Sequence, residues 1–200
     1  GLDHGQPGGV PIARLRELAD RLRAARYAVI AWDAGRLDFP HADLAVEAIC
    51  GLIEDLNSGT RCAGLPLGGS DGASTWLQAA TWQTGFPGRV SFAGGYPAHD
   101  PYRLDARRLL ASGEADALVW ISAFDAGLVP PPTDCPTVVL GRNGMTPERE
   151  PEVLVPVGTP GLDHTGHAFR FDGVATLPLA ALRTGPAAVA EVLERIERVV

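Results

Sequence analysis

Six short apolar runs alternate with amphipathic segments along this chain, and this alternation limits its fold more than any other feature. Each run is three to six residues long, which suits a buried strand and is too short for a helix. The runs are Tyr27–Trp32, Cys62–Leu65, Val90–Ala93, Ala117–Ser122, Thr137–Leu140 and Val153–Val155. Alternating strands and helices predict an α/β fold with a mainly parallel sheet and helices on both faces.

The segments around these runs carry apolar residues at three- and four-residue spacing, which predicts five helices. They are Pro11–Arg26, Ala42–Leu56, Ser74–Gln83, Leu104–Ser112 and Ala187–Val200. Near the end of the chain His167–Phe171 alternates and Val174–Leu177 follows it, which predicts a small antiparallel piece. The Val90 and Ala117 strands are apolar on both faces, so we expect them inside a sheet of about five or six strands. The length of the chain predicts a single domain over residues 1–200, and the alternation of strands and helices makes that domain Rossmann-like.

Composition argues against several classes of function. The chain has a formal charge of −7, and its 17 basic residues, all arginine, form no stripe, which argues against a nucleic-acid partner. No apolar run approaches the roughly 20 residues of a membrane span, and no signal-peptide core is present, so we expect a cytoplasmic protein. Cys50, Cys62 and Cys135 are dispersed without CxxC spacing, which predicts reduced thiols and no metal site. Cys50 and Cys62 fall on apolar faces and are predicted to lie in the core.

Loops rich in glycine and polar residues follow the predicted strands, and open parallel sheets bind ligands at that edge. The loops are Asp33–His41, Pro66–Ala73, Gly94–Pro101, Ser122–Pro130 and Gly141–Thr146. Their backbone N–H groups suit a nucleotide-like or pterin-like ligand, or their glycines and prolines simply turn the chain. The absence of GxGxxG and GxxxxGK[ST] argues against an ordinary dinucleotide or ATP site.

Histidines are the candidate general bases. His99 precedes Asp100, and His164 and His167 stand in the segment PGLDHTGHAFR. The alternative for each is a solvated loop histidine without a catalytic role. No GxSxG motif is present, so hydrolysis by a Ser/His/Asp triad has no support.

Most of the chain, from about Tyr27 onward, resembles the C-terminal half of the B subunit of formylmethanofuran dehydrogenase, a molybdopterin oxidoreductase. The most specific segments are ATWQTGFPGRVSF and PGLDHTGHAFRFDGV. The resemblance implies an α/β domain that helps to hold one pterin–guanine dinucleotide, and a chain that is the C-terminal part of a longer subunit. In that family the tungsten or molybdenum ligand and the iron–sulfur cluster belong to the N-terminal half, so neither is expected in this chain. Departures from the family's strand-end turns extend this expectation to the pterin dinucleotide, so that no cofactor is expected in this chain.

The resemblance also suggests candidate dinucleotide-binding residues, which are Ser70, Ser122, Asp125, Arg142 and Asn143. In the family, the strand before the guanine-side loop ends in a Ser-Asp-Pro-like turn. Here the strand ends at Ser122 in the sequence SAFDA, in which Asp125 matches the Asp of that turn, with an inserted residue before it and no proline after it. The next strand ends Gly-Arg-Asn rather than in an Asp-Pro-like or Asp-His-like turn. These departures fit the homologous B subunit of methylotrophic bacteria better, which is part of a formyltransferase/hydrolase complex.

That resemblance implies a non-redox, non-catalytic scaffold in one-carbon metabolism, where formyl groups are carried on methanofuran and tetrahydromethanopterin-type carriers. Its partners would be the other subunits of the complex. The alternatives are a redox fragment that binds molybdopterin guanine dinucleotide and a stand-alone nucleotide-binding module. We expect part of an interface at Phe92–Arg103, which contains Tyr96 and Tyr102, with Trp76 and Trp82 just upstream. The alternative is that these aromatics are core residues, and a core position is the expectation for Phe92 and for at least one of the two tryptophans.

Overall fold

The computed structural model describes residues 7–33, 36–37, 39–67, 72–170 and 175–199. The chain forms two compact units, Gly1–Gly68 and Gly69–Val200. Both contain parallel strands and helices, which confirms the predicted α/β class. No helix of the described residues is long and apolar enough to cross a membrane.

The first unit contains a short 3-10 helix at Pro7–Gly9, two α-helices and two parallel strands among its described residues. In chain order the α-helices and strands are α1 Ile12–Ala24, β1 Tyr27–Asp33, α2 Ala42–Asn57 and β2 Arg61–Leu67. Its core is formed by Ala28, Leu56 and Cys62. The Asn57 side chain closes the turn between α2 and β2, because its Nδ2 donates to the Cys62 carbonyl oxygen and its Oδ1 accepts from the Cys62 N–H, at 2.8 and 3.1 Å.

The second unit contains three helices and seven strands among its described residues. In chain order these are α3 Ala73–Thr84, β3 Val90–Ser91, β4 Ala98–His99, α4 Ala106–Ser112, β5 Leu118–Ser122, β6 Thr137–Arg142, β7 Val153–Val157, β8 Gly166–Phe169, β9 Thr176–Leu179 and α5 Val189–Glu197. Strands β5, β6 and β7 form a parallel sheet with β6 in the centre. Val139 and Leu140 of β6 are successive residues, so they face opposite sides of the sheet, and both are 0 % exposed. The centre of this sheet is therefore covered on both faces.

Two short antiparallel pairs complete the second unit. Strands β8 and β9 pair with each other, which confirms the small antiparallel piece predicted near the C-terminus. The Phe169 N–H of β8 donates to the Thr75 Oγ1 of α3 at 2.9 Å, so this pair is tied to the helix.

Two predicted strand positions are wrong. The Val90 strand has only two residues and pairs antiparallel with β4, because glycines with positive φ at 88 and 95 turn the chain on either side of it. The Ala117 strand becomes β5 at an edge of its sheet, where Val119 and Ile121 are 57 % and 47 % exposed. Strand β5 is therefore apolar on both faces without being buried on both faces among the described residues.

The core position expected for Phe92 and for one of the two tryptophans is also wrong within the described chain. Five aromatic side chains between the start of α3 and the start of α4 are each more than half exposed, namely Trp76, Trp82, Phe92, Tyr96 and Tyr102. The interface expected in this region stays a prediction.

The three cysteines differ in their exposure to solvent. Cys62 is buried in the core of the first unit, as predicted, whereas Cys50 lies on an exposed position of α2 and its predicted core placement is wrong. Cys135 is half-buried just before β6. The period of α2 places Leu56 on the packed face, and position 50 falls outside that face.

Candidate functional site

The carboxyl ends of β5, β6 and β7 lie side by side at one edge of the central sheet. In the parallel register Ser122 pairs with Gly141, and Arg142 pairs with Val157. The loops that begin at these positions are where open parallel sheets hold ligands. The structure thus brings four of the five candidate residues, namely Ser122, Asp125, Arg142 and Asn143, to one edge, and the fifth, Ser70, lies outside the described residues.

The loop after β5 is closed by its own polar side chains. The buried Ser122 hydroxyl donates to the Asp125 carbonyl oxygen at 2.9 Å. The Asp125 carboxylate is exposed, and its Oδ1 accepts from the Gly127 N–H at 2.7 Å. Ser122 and Asp125 therefore stabilise the turn that the family resemblance assigns to the guanine side of a ligand.

The same loop is also held by groups from the two neighbouring strands. Arg142 Nη1 donates to the Phe124 carbonyl oxygen at 2.8 Å, and the Thr159 hydroxyl donates to the Ala123 carbonyl oxygen at 2.6 Å. Residues at the ends of β6 and β7 thus bind the backbone that follows β5. These contacts fix the geometry of the sheet edge. They also occupy one nitrogen of the Arg142 guanidinium and the Thr159 hydroxyl, which would otherwise be free to bind a ligand.

Asp163 is the most buried carboxylate of this edge among the described residues, with its side chain only 5 % exposed. Its Oδ2 accepts from the Thr159 N–H at 2.9 Å, and its Oδ1 accepts from Arg183 Nε at 2.7 Å. The Thr159 N–H lowers the pKa of Asp163 below its ordinary value, with further lowering from the hydrogen bond of Arg183 and from the charge of Arg142. Asp163 therefore stays ionised and joins the β7 end to the segment that contains Arg183.

The segment before α5 passes very close to Asp163. A Cβ on Gly185 would lie 2.4 Å from the Asp163 Cβ, and a Cβ on Gly158 would lie 2.5 Å from the Pro186 carbonyl oxygen. The sequence pattern marks Asp163 only as the neighbour of His164 and does not single out Arg183. The sequence signal for Asp163 is the segment PGLD after a strand, because in such turns an Asp carboxylate commonly accepts from a backbone N–H. Nothing in the sequence indicates that Asp163 pairs with Arg183, 20 positions later.

The end of the loop before α3 reaches the same edge. Gly72 adopts a φ of 83°, and a Cβ there would lie 2.7 Å from Cε2 of the Phe124 ring. Only glycine suits both the left-handed backbone and this close approach. Residues 68–71 of that loop, which include Ser70, are outside the described part of the chain.

These contacts test whether the described edge suits a dinucleotide. The hydroxyls of Ser122 and Thr159, the Asp163 carboxylate and one nitrogen of Arg142 all bond to protein groups. Among the candidate residues, the exposed side chains are those of Asn143 and Asp125, and Oδ1 of Asp125 already accepts from the Gly127 N–H. The polar groups of the described strand-end residues are therefore better suited to stabilising this edge of the sheet than to binding phosphate.

Of the three predicted histidines, His99 and His164 are bonded to backbone carbonyl groups, and His167 is exposed on β8. His99 Nδ1 lies 2.7 Å from the Gly88 carbonyl oxygen, and its ring stacks on Phe86 with a centroid separation of 5.2 Å. His164 Nδ1 lies 2.7 Å from the Thr165 carbonyl oxygen. Neither ring bonds a hydroxyl or thiol among the described residues. The same part of the chain contains no group of three His, Cys, Asp or Glu side chains that could hold a metal ion.

Comparisons with known proteins agree on one group of relatives, although no family model matches the chain. The Fhc B subunit of the formyltransferase/hydrolase complex of Methylorubrum extorquens is 36% identical over 151 residues, which are 74% of this chain and 41% of that protein. The B subunit of the tungsten-containing formylmethanofuran dehydrogenase 2 of Methanocaldococcus jannaschii is 27% identical over 175 residues, 83% of this chain and 39% of that protein. The chain therefore spans about two fifths of the length of these curated relatives.

A solved structure agrees with these sequence comparisons. The crystal structure of the formyltransferase/hydrolase complex FhcABCD from Methylorubrum extorquens with methylofuran contains a chain that matches with a TM-score of 0.74. The match is 32% identical and covers 92% of this chain and 51% of that chain. The resemblance predicted from the sequence is thus confirmed by sequence and by fold.

Proposed function

We propose that this chain, a homologue of part of the B subunits of formyltransferase/hydrolase complexes and formylmethanofuran dehydrogenases, is a structural domain of such a subunit and performs no chemistry of its own. The observation that carries the proposal is the sheet edge at β5, β6 and β7. Its polar side chains bond to one another and to backbone groups, so they hold a shape and leave few groups for a ligand.

The proposed setting is a cytoplasmic complex that handles one-carbon formyl groups. The relative with the higher identity is a subunit of a formyltransferase/hydrolase complex. We infer that the partners of this chain are the other subunits of such a complex, with neither nucleic acid nor membrane among them. The acidic, dispersed charge of the chain and its three free cysteines support this setting.

A second candidate is the dinucleotide-binding domain of a redox formylmethanofuran dehydrogenase. The similarity to the tungsten-containing subunits from Methanocaldococcus jannaschii and Methanococcus maripaludis, at 27% and 25% identity, supports this alternative. In that case Asn143 and the remaining nitrogens of Arg142 would meet molybdopterin guanine dinucleotide, together with Ser70. The bound group would supply redox chemistry at its metal, and this chain's part would be to bind and orient it.

Pterin analysis of the complex separates the two candidates. The full-length protein is co-expressed with the other subunits of its complex, denatured, and assayed for oxidised pterin by fluorescence. The scaffold proposal expects no stoichiometric pterin, full complex activity in the Asn143→Ala variant, and no activity when the full-length protein is omitted. About one pterin dinucleotide per chain, reduced by Asn143→Ala, would replace the scaffold proposal with the redox one.

A further inference from the structure

The turn after β6 contains the dipeptide Asn143-Gly144, and the chain has one other asparagine, Asn57. Asparagine is a chemically labile residue, because the backbone nitrogen of the next residue can attack its side-chain carbonyl carbon. A following glycine favours this attack, since it has no Cβ to hinder the approach. In a folded protein the reaction also requires a side-chain amide, and a following backbone N–H, that are not held by hydrogen bonds.

Asn143 meets these requirements within the described chain. Asn143 and Gly144 are both exposed, and among the described residues no group hydrogen-bonds the Asn143 amide or the Gly144 N–H. The Met145 N–H donates to the Arg142 carbonyl oxygen at 3.1 Å, and Gly144 has a φ of 89°, as in a type II turn. The reacting atoms therefore lie at the exposed tip of a turn, and their approach breaks no hydrogen bond of their own.

Asn57 is held in the opposite way and provides a control within the same chain. Its Nδ2 donates to the Ile53 and Cys62 carbonyl oxygens, both at 2.8 Å, and its Oδ1 accepts from the Cys62 N–H at 3.1 Å. The next backbone nitrogen, that of Ser58, donates to the Asp55 carbonyl oxygen at 3.3 Å. The side chain of Asn57 must therefore lose several hydrogen bonds before the same reaction can begin.

We propose that Asn143 is a site of spontaneous deamidation in the folded protein. The Gly144 nitrogen gives its proton to hydroxide or a buffer base and forms a bond to Cγ of Asn143. The bond from Cγ to Nδ2 breaks, and Nδ2 takes a proton from water and leaves as ammonia. Water then opens the resulting succinimide at either of its carbonyl carbons, which gives Asp or isoaspartate at position 143. The reaction consumes water alone and does not depend on the proposed function.

The product changes the end of the central strand. A carboxylate appears next to Arg142, whose Nη1 donates to the Phe124 carbonyl oxygen at 2.8 Å. Because guanidinium groups bond carboxylates more strongly than neutral carbonyl groups, the new charge competes for this contact. Isoaspartate also adds one methylene to the main chain inside the turn between Arg142 and Met145. Deamidation thus loosens the loop after β5.

The test compares the two asparagines in one sample of the full-length protein. The protein is incubated at mildly alkaline pH in buffer and in urea, digested with pepsin in acid, and analysed by mass spectrometry for replacement of NH₂ by OH. We expect Asn143 to react in buffer at a rate within about threefold of its rate in urea, and Asn57 to react at least about tenfold more slowly in buffer than in urea. Peptides with Asn143 should contain both Asp and isoaspartate, and the rate should rise with pH.

Asn143→Gln is the matched variant, because it keeps an exposed amide but would have to close a six-membered ring. We expect no conversion at position 143 in this variant on the same timescale, and an unchanged melting temperature after incubation, whereas the converted wild type melts at a lower temperature. The site is refuted if Asn143 reacts ten or more times more slowly in buffer than in urea, or if Asp is its sole product. A converted wild type that melts like the fresh protein contradicts the loosened loop.

Discussion

Asp163 and Thr159 together link three separate parts of the second unit. Asp163 accepts from the N–H of Thr159 after β7 and from Arg183 in the segment before α5. Thr159 in turn donates its hydroxyl to the Ala123 carbonyl oxygen after β5. Because a carboxylate bonded by an N–H and a guanidinium favours its charged form, the edge is stabilised as long as Asp163 is ionised. A residue without any part in chemistry can therefore determine the shape of a strand-end surface.

The first prediction concerns the pH dependence of stability. The pKa of Asp163 is lower in the folded chain than its ordinary value of 3.8, so the folded state binds its proton more weakly than the unfolded state does. The stabilisation is present in full above the unfolded pKa and is lost as the pH falls from about 4 through the lowered folded pKa. We expect Asp163→Asn to lower the melting temperature at pH 7 and to flatten its decrease between pH 5 and pH 3. Glu150→Gln, at an exposed position, is the control. If the melting temperatures of the wild type and of Asp163→Asn fall equally steeply between pH 5 and pH 3, the prediction is contradicted.

The second prediction concerns the close approach at Gly185. An added methyl group would lie 2.4 Å from the Asp163 Cβ, which is fixed to its own backbone and cannot move aside as the end of a long side chain would. We expect Gly185→Ala to lower the free energy of unfolding by about 1–3 kcal/mol, as overpacking does. Gly59→Ala is the matched control because its Cβ would meet nothing within 4 Å, and we expect a change within about 0.5 kcal/mol. Chemical denaturation at pH 7 measures both, and equal stabilities would show that the backbone relaxes freely around position 185.

Among the elements, β6 is the strand that organises the second unit. It pairs with β5 on one side and β7 on the other, and its residues are buried on both faces. Its last residues, Gly141 and Arg142, lie beside the ends of both neighbours. The small Gly141 leaves room for Met145, whose Sδ would lie 2.8 Å from an added Cβ. Core packing and the candidate edge therefore depend on the same strand.

The third prediction tests this order of strands. Leu140 is fully buried in β6, so Leu140→Ala leaves a cavity and is expected to lower the free energy of unfolding by about 2–5 kcal/mol. Ile121 is half exposed in the edge strand β5, so Ile121→Ala is expected to cost less than about 1 kcal/mol in the isolated protein. Urea denaturation of both variants provides the comparison. If the two substitutions lower the free energy of unfolding by similar amounts, β5 is an interior strand, as the sequence predicted for the Ala117 run.

The element pattern was predictable from sequence because it depends on local periodicity. Five helices and the strand runs other than that at Val90 occur near their predicted positions, since burial on one face leaves a periodic signal. The position of each strand within a sheet was not predictable, because an edge strand covered by another surface has the same apolar composition as a central one. The convergence of Ser122, Asp125, Arg142 and Asn143 on one edge followed from parallel topology. The bond of Arg142 to Phe124 spans 18 positions, and the roles of Thr159 and Arg183 depend on contacts between residues 36 and 20 positions apart, for which a single sequence carries no signal.

On the scale of the whole molecule, the described chain has a small core and a large exposed apolar surface. In the first unit the buried apolar cluster consists of Ala28, Leu56 and Cys62. The strand faces at Val29 and Val119 and the aromatic side chains along residues 76–102 are exposed. The first unit spans Gly1–Gly68, and a unit of that size gains only a few kcal/mol from a single core. A chain of this kind depends for part of its stability on surfaces that cover it, which agrees with its proposed place in a complex.

The fourth prediction follows from that dependence. A partner that binds the folded chain and not the unfolded one stabilises it by mass action, by about 2.7 kcal/mol at a concentration 100 times the dissociation constant. We expect hydrogen–deuterium exchange in α3 and in residues 85–104 to be slower in the assembled complex than in the isolated protein, and the melting temperature to rise on assembly. Leu182→Ser retains both gains because its exposed side chain lies outside α3 and residues 85–104, whereas Phe92→Ser loses most of the protection in residues 85–104. If the isolated protein already melts at the temperature of the complex, with the same exchange rates in this segment, its exposed aromatic surface contributes nothing to assembly, and its stability must come from the described core alone.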